Sequence, residues 1–110
     1  MPSGKQDLAS AVTLDEFRHS LAAPAPPAGL GAALEALWRD ARGDFDRAHE
    51  LAQSDEGGDG DWVHAYLHRK EGDSGNAAWW YRKARRVFPV EPLEREWERI
   101  ARALLSGVEQ

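Results

Sequence analysis

The chain has 110 residues, 42% of them hydrophobic and 30% charged, with a formal net charge of −5. That length suits one small core that buries about two thirds of the unfolded surface. Cysteine is absent, which excludes disulfides, thiolate zinc sites and iron–sulfur clusters and suggests a reducing, cytoplasmic compartment; no apolar run nears the roughly 18 residues of a membrane span.

Residues 1–12 include Pro2, Ser3 and Gly4, show no periodicity and contain no apolar leader core, so they read as a disordered tail. Thr13-Leu14-Asp15-Glu16 is a capping box, in which the Thr13 hydroxyl and the Glu16 carboxylate satisfy free amides at a helix start. Leu14, Phe17 and Leu21 then share one face, which predicts a helix over 13–22. Prolines at 24, 26 and 27 end it and make 24–29 a stiff connector.

A helix from about Ala28 to Arg42 follows, with Leu30, Leu34, Leu37, Trp38 and Ala41 at spacings of three and four. Gly43 suits a left-handed residue that closes it, and Asp44 suits the cap of a helix from Phe45 to Gln53. These two helices make a first hairpin, 30–53. Ser54 to Gly60 reads as an acidic loop; it lacks the alternating ligands and distal glutamate of a calcium loop.

A second hairpin is expected over 62–88, opened by Asp61 as cap and turned at Gly72-Asp73. Trp62, Val63, Tyr66 and Leu67 fall on one arc of its first helix, and His64, His68 and Glu71 on another. Ala77, Trp80, Tyr81, Ala84, Val87 and Phe88 share a face of its second helix, with Trp79, Arg82, Lys83 and Arg86 opposite. Asp73 and Asn76 read as caps. Pro89 and Pro92 precede a helix over 91–105 whose stripe of Leu93, Trp97, Ile100, Leu104 and Leu105 needs a partner, and which caps the hairpins. The domain therefore spans 13–106 and is all-α, an assembly of antiparallel helical hairpins with about five helices and no strands.

A shift of 29 residues superimposes ALWRDARGDFDRA (36–48) on AYLHRKEGDSGNA (65–77), matching Ala36/Ala65, Gly43/Gly72, Asp44/Asp73 and Ala48/Ala77. With Tyr81, Ala84 and Pro89 at the further offsets, the second copy resembles a tetratricopeptide (TPR) or Sel1-like repeat, and NAAWWYRKA looks like the second helix of a Sel1-like unit. The likeness covers 62–89 well and 33–53 loosely. It departs at His64 and His68, which stand where such a repeat packs a leucine and an aromatic. HAYLHRKEGD with NAAWWYRKA also resembles a group of short bacterial proteins, a likeness that supplies no activity. The resemblance to helical repeats implies a module that binds a protein or peptide and performs no catalysis.

Charge suggests where such a partner would sit. Arg69, Lys70, Arg82, Lys83, Arg85 and Arg86 against Glu71 and Asp73 give residues 62–90 a charge of +4, which leaves −9 for the rest. Trp62, Tyr66 and Arg69 could form an aromatic groove with a cation beside it, and Trp79, Arg82, Lys83 and Arg86 a second part of the surface, suited to an acidic tail. Trp62 and Tyr66 are equally good core residues. A contact of Trp79 with Lys83 or Arg82 accounts for part of this patch locally, and nucleic acid is set aside because the patch is small and the chain acidic. Exposed edges around Trp79 or Trp97 leave room for a homodimer.

The alternative site is metallic. His64 and His68, four apart, project from one helix face, and His49 or Glu50 from the preceding helix could supply a third ligand for zinc, nickel or copper. Such a chain would be a metal-binding or small-ligand protein, an enzyme among the options, although it carries nothing like HExxH and no nucleophile elbow. The plainer alternative makes the histidines half-buried structural groups bonded to Glu35 or Glu71.

Overall fold

Thr13 opens the first helix as its capping box requires. Its hydroxyl accepts from the Glu16 amide, and the Glu16 carboxylate accepts from the Thr13 amide, both at 3.0 Å. The computed structural model describes residues 12–106, and among these the chain forms six helices and no strand: α1 Leu14–Ser20, α2 Ala32–Ala41, α3 Phe45–Ser54, α4 Gly58–Lys70, α5 Ser74–Lys83 and α6 Leu93–Ser106. The six correspond one for one to the helical stretches read from the sequence, two hairpins of two helices and one helix at either end, so the count of about five is one too few. The expected tail lies outside the described residues except for Val12, which packs at the edge of the core.

The two turns share one geometry. Gly43 and Gly72 have φ of +86° and +87°, a region that favours glycine. The following amide reaches back to Arg39 O in one and His68 O in the other, at 2.9 Å in each. Asp44 and Asp73 then cap the next helix, accepting from Arg47 N and Asn76 N at 3.3 Å. The paired alanines Ala36/Ala65 and Ala48/Ala77 are all fully buried. The 29-residue repeat is thus one of turn geometry and helix contact.

Helix α4 is the centre of the packing. It lies against α2, α3, α5 and α6, and every residue from Gly60 to His68 is buried. A helix surrounded on all sides cannot show one clean apolar stripe. It also starts earlier than its sequence suggests. Gly57 is its cap, Gly58-Asp59-Gly60 its first turn, and Asp61, expected as the cap, lies inside it and pairs with Lys83 at 3.2 Å. The expected loop over 54–60 shrinks to 55–57. Gly60 makes this close approach feasible, since a Cβ there would sit 2.0 Å from the Asp55 carbonyl oxygen.

At its other end the second hairpin is shorter than expected. Helix α5 stops at Lys83 rather than near Phe88, because Arg85 takes the left-handed conformation (φ 63°) and the Arg86 amide closes back on Tyr81 O. Val87 and Phe88 therefore leave the helix face assigned to them and, with Val90, are exposed. Trp80 is half-buried, while Tyr81 is in the core.

Helix α6 lies against α4, α2 and α1. Trp97 stacks on Phe17 at 5.7 Å between ring centroids and donates to Leu37 O. One turn position of this stripe is a carboxylate: Glu96, fully buried, accepts from Trp62 Nε1 (3.2 Å), Tyr81 OH (2.7 and 2.6 Å) and Arg69 NH1 (2.8 Å). Arg69 also donates to the Glu91 carbonyl. Tyr66 OH and Lys70 meet on a second buried carboxylate, Asp40, at 3.3 and 2.8 Å. No helix among the described residues is long and apolar enough to cross a membrane.

Candidate metal centre

Three of the four histidines converge where α3 and α4 pack. The short connection 55–57 folds α4 against α3, and the four-residue spacing sets His64 and His68 one above the other, toward His49. Their rings are close on every side. His64 and His68 lie 4.9 Å apart at the centroids and nearly parallel, and His49 stands edge-on to both at 4.5 and 5.2 Å. One ring nitrogen from each falls within 4.8 Å of the other two. The Nε2 atoms of His49 and His64 are 3.1 Å apart, within hydrogen-bond distance and a little under the roughly 3.3 Å that two nitrogens span on a tetrahedral ion with bonds of about 2.0–2.1 Å.

The surroundings hold the rings and disfavour charge on His64 and His49. Trp80 lies on His64 with centroids 3.9 Å apart, and Phe45 lies 6.1 Å from His49. Burial, with the neighbouring His49 and His68, pushes the His64 imidazole down to about 4. Burial also lowers His49, helped by His68 and opposed by Glu71 and Asp46. Near neutral pH both are therefore neutral imidazoles, the protonation state that a metal takes.

Not every polar atom of the cluster has a partner. The Nδ1 atoms of His64 and His68 are buried and make no hydrogen bond. Glu71 Oε2 stands 3.4 Å from His68 Nδ1 and Asp73 Oδ2 4.0 Å, close enough for charge interaction. A carboxylate behind a histidine is the arrangement that orients a metal-bound imidazole. Glu35, the other expected partner, is bound by Arg39 instead. Buried polar atoms without partners cost about 1–3 kcal/mol each, so two in one histidine cluster call for a functional explanation.

The residues expected to hold a partner do not share one surface. Trp62 and Tyr66 are buried, at 1% and 3% exposure, and Arg69 is turned onto Glu96 and the Glu91 carbonyl, so these three form core and not a groove. Arg86 stacks its guanidinium 3.4 Å above the Trp62 ring. Trp79, 50% exposed, and Arg82 face outward from α5. Lys83 pairs with Asp61 and lies over Trp80, 5.6 Å from its centroid, rather than over Trp79.

Two features escaped the sequence reading. Glu96 stood three residues after Leu93 and four before Ile100, on the apolar face, which was the available sign of a buried carboxylate. The exposed trio Val87, Phe88 and Val90 depended on where α5 ends, and Arg85 gives no glycine-like signal there. No protein-family model matches the chain, and no curated protein or solved structure matches it with significance.

Proposed function

We propose that this chain is a small all-helical protein whose function is to bind a divalent transition metal through His49, His64 and His68. The observation that carries the reading is the convergence of three ring nitrogens from two helices, two of them 3.1 Å apart. An all-imidazole donor set favours zinc, nickel or copper over magnesium or calcium, which take oxygen. Glu71 supports His68 from behind. The fold resembles a minimal TPR or Sel1-like module of antiparallel hairpins in a reducing cytoplasm, with the histidines where a repeat keeps apolar residues.

Elemental mass spectrometry of untagged protein tests this, with titration of the metal-free protein by zinc, nickel and copper. The expected result is one equivalent per chain, lost in the His64→Ala/His68→Ala variant and reduced in His49→Ala, with far-UV circular dichroism showing that the variants remain folded. Failure of the folded wild-type protein to take up any of the three metals would overturn the reading.

A second reading, a repeat module for a protein or peptide partner, is favoured by a different observation. Val87, Phe88 and Val90 are exposed together beside Arg85, Arg86 and Arg99, around a cavity of about 500 Å³. An acidic peptide with an apolar side chain, or a second copy of the chain, would suit that surface. Its signature is loss of partner on Phe88→Ala with metal content unchanged.

A further inference from the structure

We infer that a metal held by His49, His64 and His68 keeps one coordination position open to a small exchangeable ligand, water or a monodentate anion. The inference rests on the metal reading above and adds to it the class of ligand that the ion would accept.

The donor set supplies three atoms. Among the described residues, His49, His64 and His68 form one group of donor atoms within 4.8 Å of one another, His68 belongs also to a second with Glu71 and Asp73, and the chain has no cysteine. Structural zinc sites close with four protein ligands, whereas three histidines leave the fourth position to solvent.

Glu71 lies on the Nδ1 side of His68, 3.4 Å from that atom. Asp73 caps α5, accepting from the Asn76 amide and side-chain nitrogen at 3.3 and 3.0 Å.

Access is one-sided. His64 and His68 are buried and His49 is only half-buried, so solvent reaches the cluster beside His49. The flanking groups are aromatic: Trp80 against His64 and Phe45 beside His49. Neither ring is a ligand for these metals, and together they narrow the approach, which favours a small ligand bound through a single atom. A separate cavity of about 360 Å³ is lined by His64, Trp80, Lys83 and the carboxylates Asp55, Glu56 and Asp61, and by neither His49 nor His68. A zinc ion held by the three histidines would lower the pKa of a bound water, while the histidines would only hold and orient the ion.

Cobalt(II) follows zinc in coordination and reports its ligands through visible absorption, so the cobalt-loaded full chain is titrated with sodium azide. The expected result is a saturable shift of the visible bands in wild-type protein, and the same shift in Glu71→Gln. Loaded wild-type protein whose spectrum ignores azide overturns the inference while leaving the metal reading intact. A silent wild type beside a responsive Glu71→Gln does so too, and identifies Glu71 as the fourth ligand. No cobalt uptake at all, under conditions where the protein is folded, removes the metal reading and this inference together.

Discussion

Replacing Glu96 with alanine is the sharpest test of how the core is held. The carboxylate is fully buried and receives four donor contacts from three side chains, Trp62, Tyr81 and Arg69. Alanine leaves the Arg69 guanidinium, whose side chain is 17% exposed, without its anion, and leaves an indole N–H and a phenol without acceptors. Breaking a buried ion pair costs about 3–5 kcal/mol, and each orphaned neutral donor about 1 kcal/mol or more. Arg69 keeps its bond to the Glu91 carbonyl and some solvent, which places the ion-pair loss at the lower end. The expected total is about 5 kcal/mol, a large part of the 5–15 kcal/mol that a domain has. With a urea slope of about 1.5 kcal/mol/M the midpoint falls by roughly 3 M, read by circular dichroism. Glu96→Gln, which keeps one oxygen acceptor, should lose about half as much. In Arg69→Met/Glu96→Leu the penalty should shrink to that of the two neutral donors, because removing both charges together is close to neutral. A loss under about 1 kcal/mol for Glu96→Ala, at unchanged slope, would refute the hub.

Other perturbations probe the remaining parts. With its folded value depressed to about 4 against 6.5 unfolded, His64 contributes stability that is fully present above pH 6.5. That stability falls as pH drops through the window between those values, by at most about 3 kcal/mol. Urea titrations of metal-free protein at pH 7.5 and 4.5 should show a steeper loss than in His64→Leu, and equal losses would contradict the burial of that ring. Arg85→Gly should stabilise by roughly 0.5–1 kcal/mol, since Arg85 holds a left-handed conformation that costs a side chain about 1–2 kcal/mol; thermal unfolding decides it. Gly60→Ala should cost about 2 kcal/mol or more, because its Cβ meets backbone at 2.0 Å and the start of α4 must shift. Asp73→Ala should cost about 1 kcal/mol through the lost cap of α5.

Where a local rule decides the backbone, the sequence was legible. The capping box at Thr13, the left-handed glycines at 43 and 72 and the aspartate caps beside them all require specific residue types, and each stands where those residues predict. Helix α4 was harder because its partners, and not its own periodicity, bury it. Asp61 reads as a cap only until Lys83 arrives from α5 to pair with it. Spacing put His64 and His68 on one face, and the proximity of α3 to α4 brings His49 to them, so the candidate site was readable as residues but not as geometry. Whether Trp62, Tyr66 and Arg69 faced a groove or the core could not be read locally. That depended on Glu96, 34 and 27 positions beyond Trp62 and Arg69, and on Asp40, 26 positions before Tyr66.

The same distances govern how the molecule comes together. While the α4–α5 pair lacks α6, the Trp62 indole, the Arg69 guanidinium and the Tyr81 phenol have only water in place of the Glu96 carboxylate, and the apolar surface around them is uncovered. Docking of α6 supplies one carboxylate to all three at once and seats Trp97 on Phe17 from the opposite end of the chain. The hairpins are therefore not independent beads that could be lengthened by copying. They are halves of one cooperative unit, in which the last helix is the keystone that lets the middle one keep its shape.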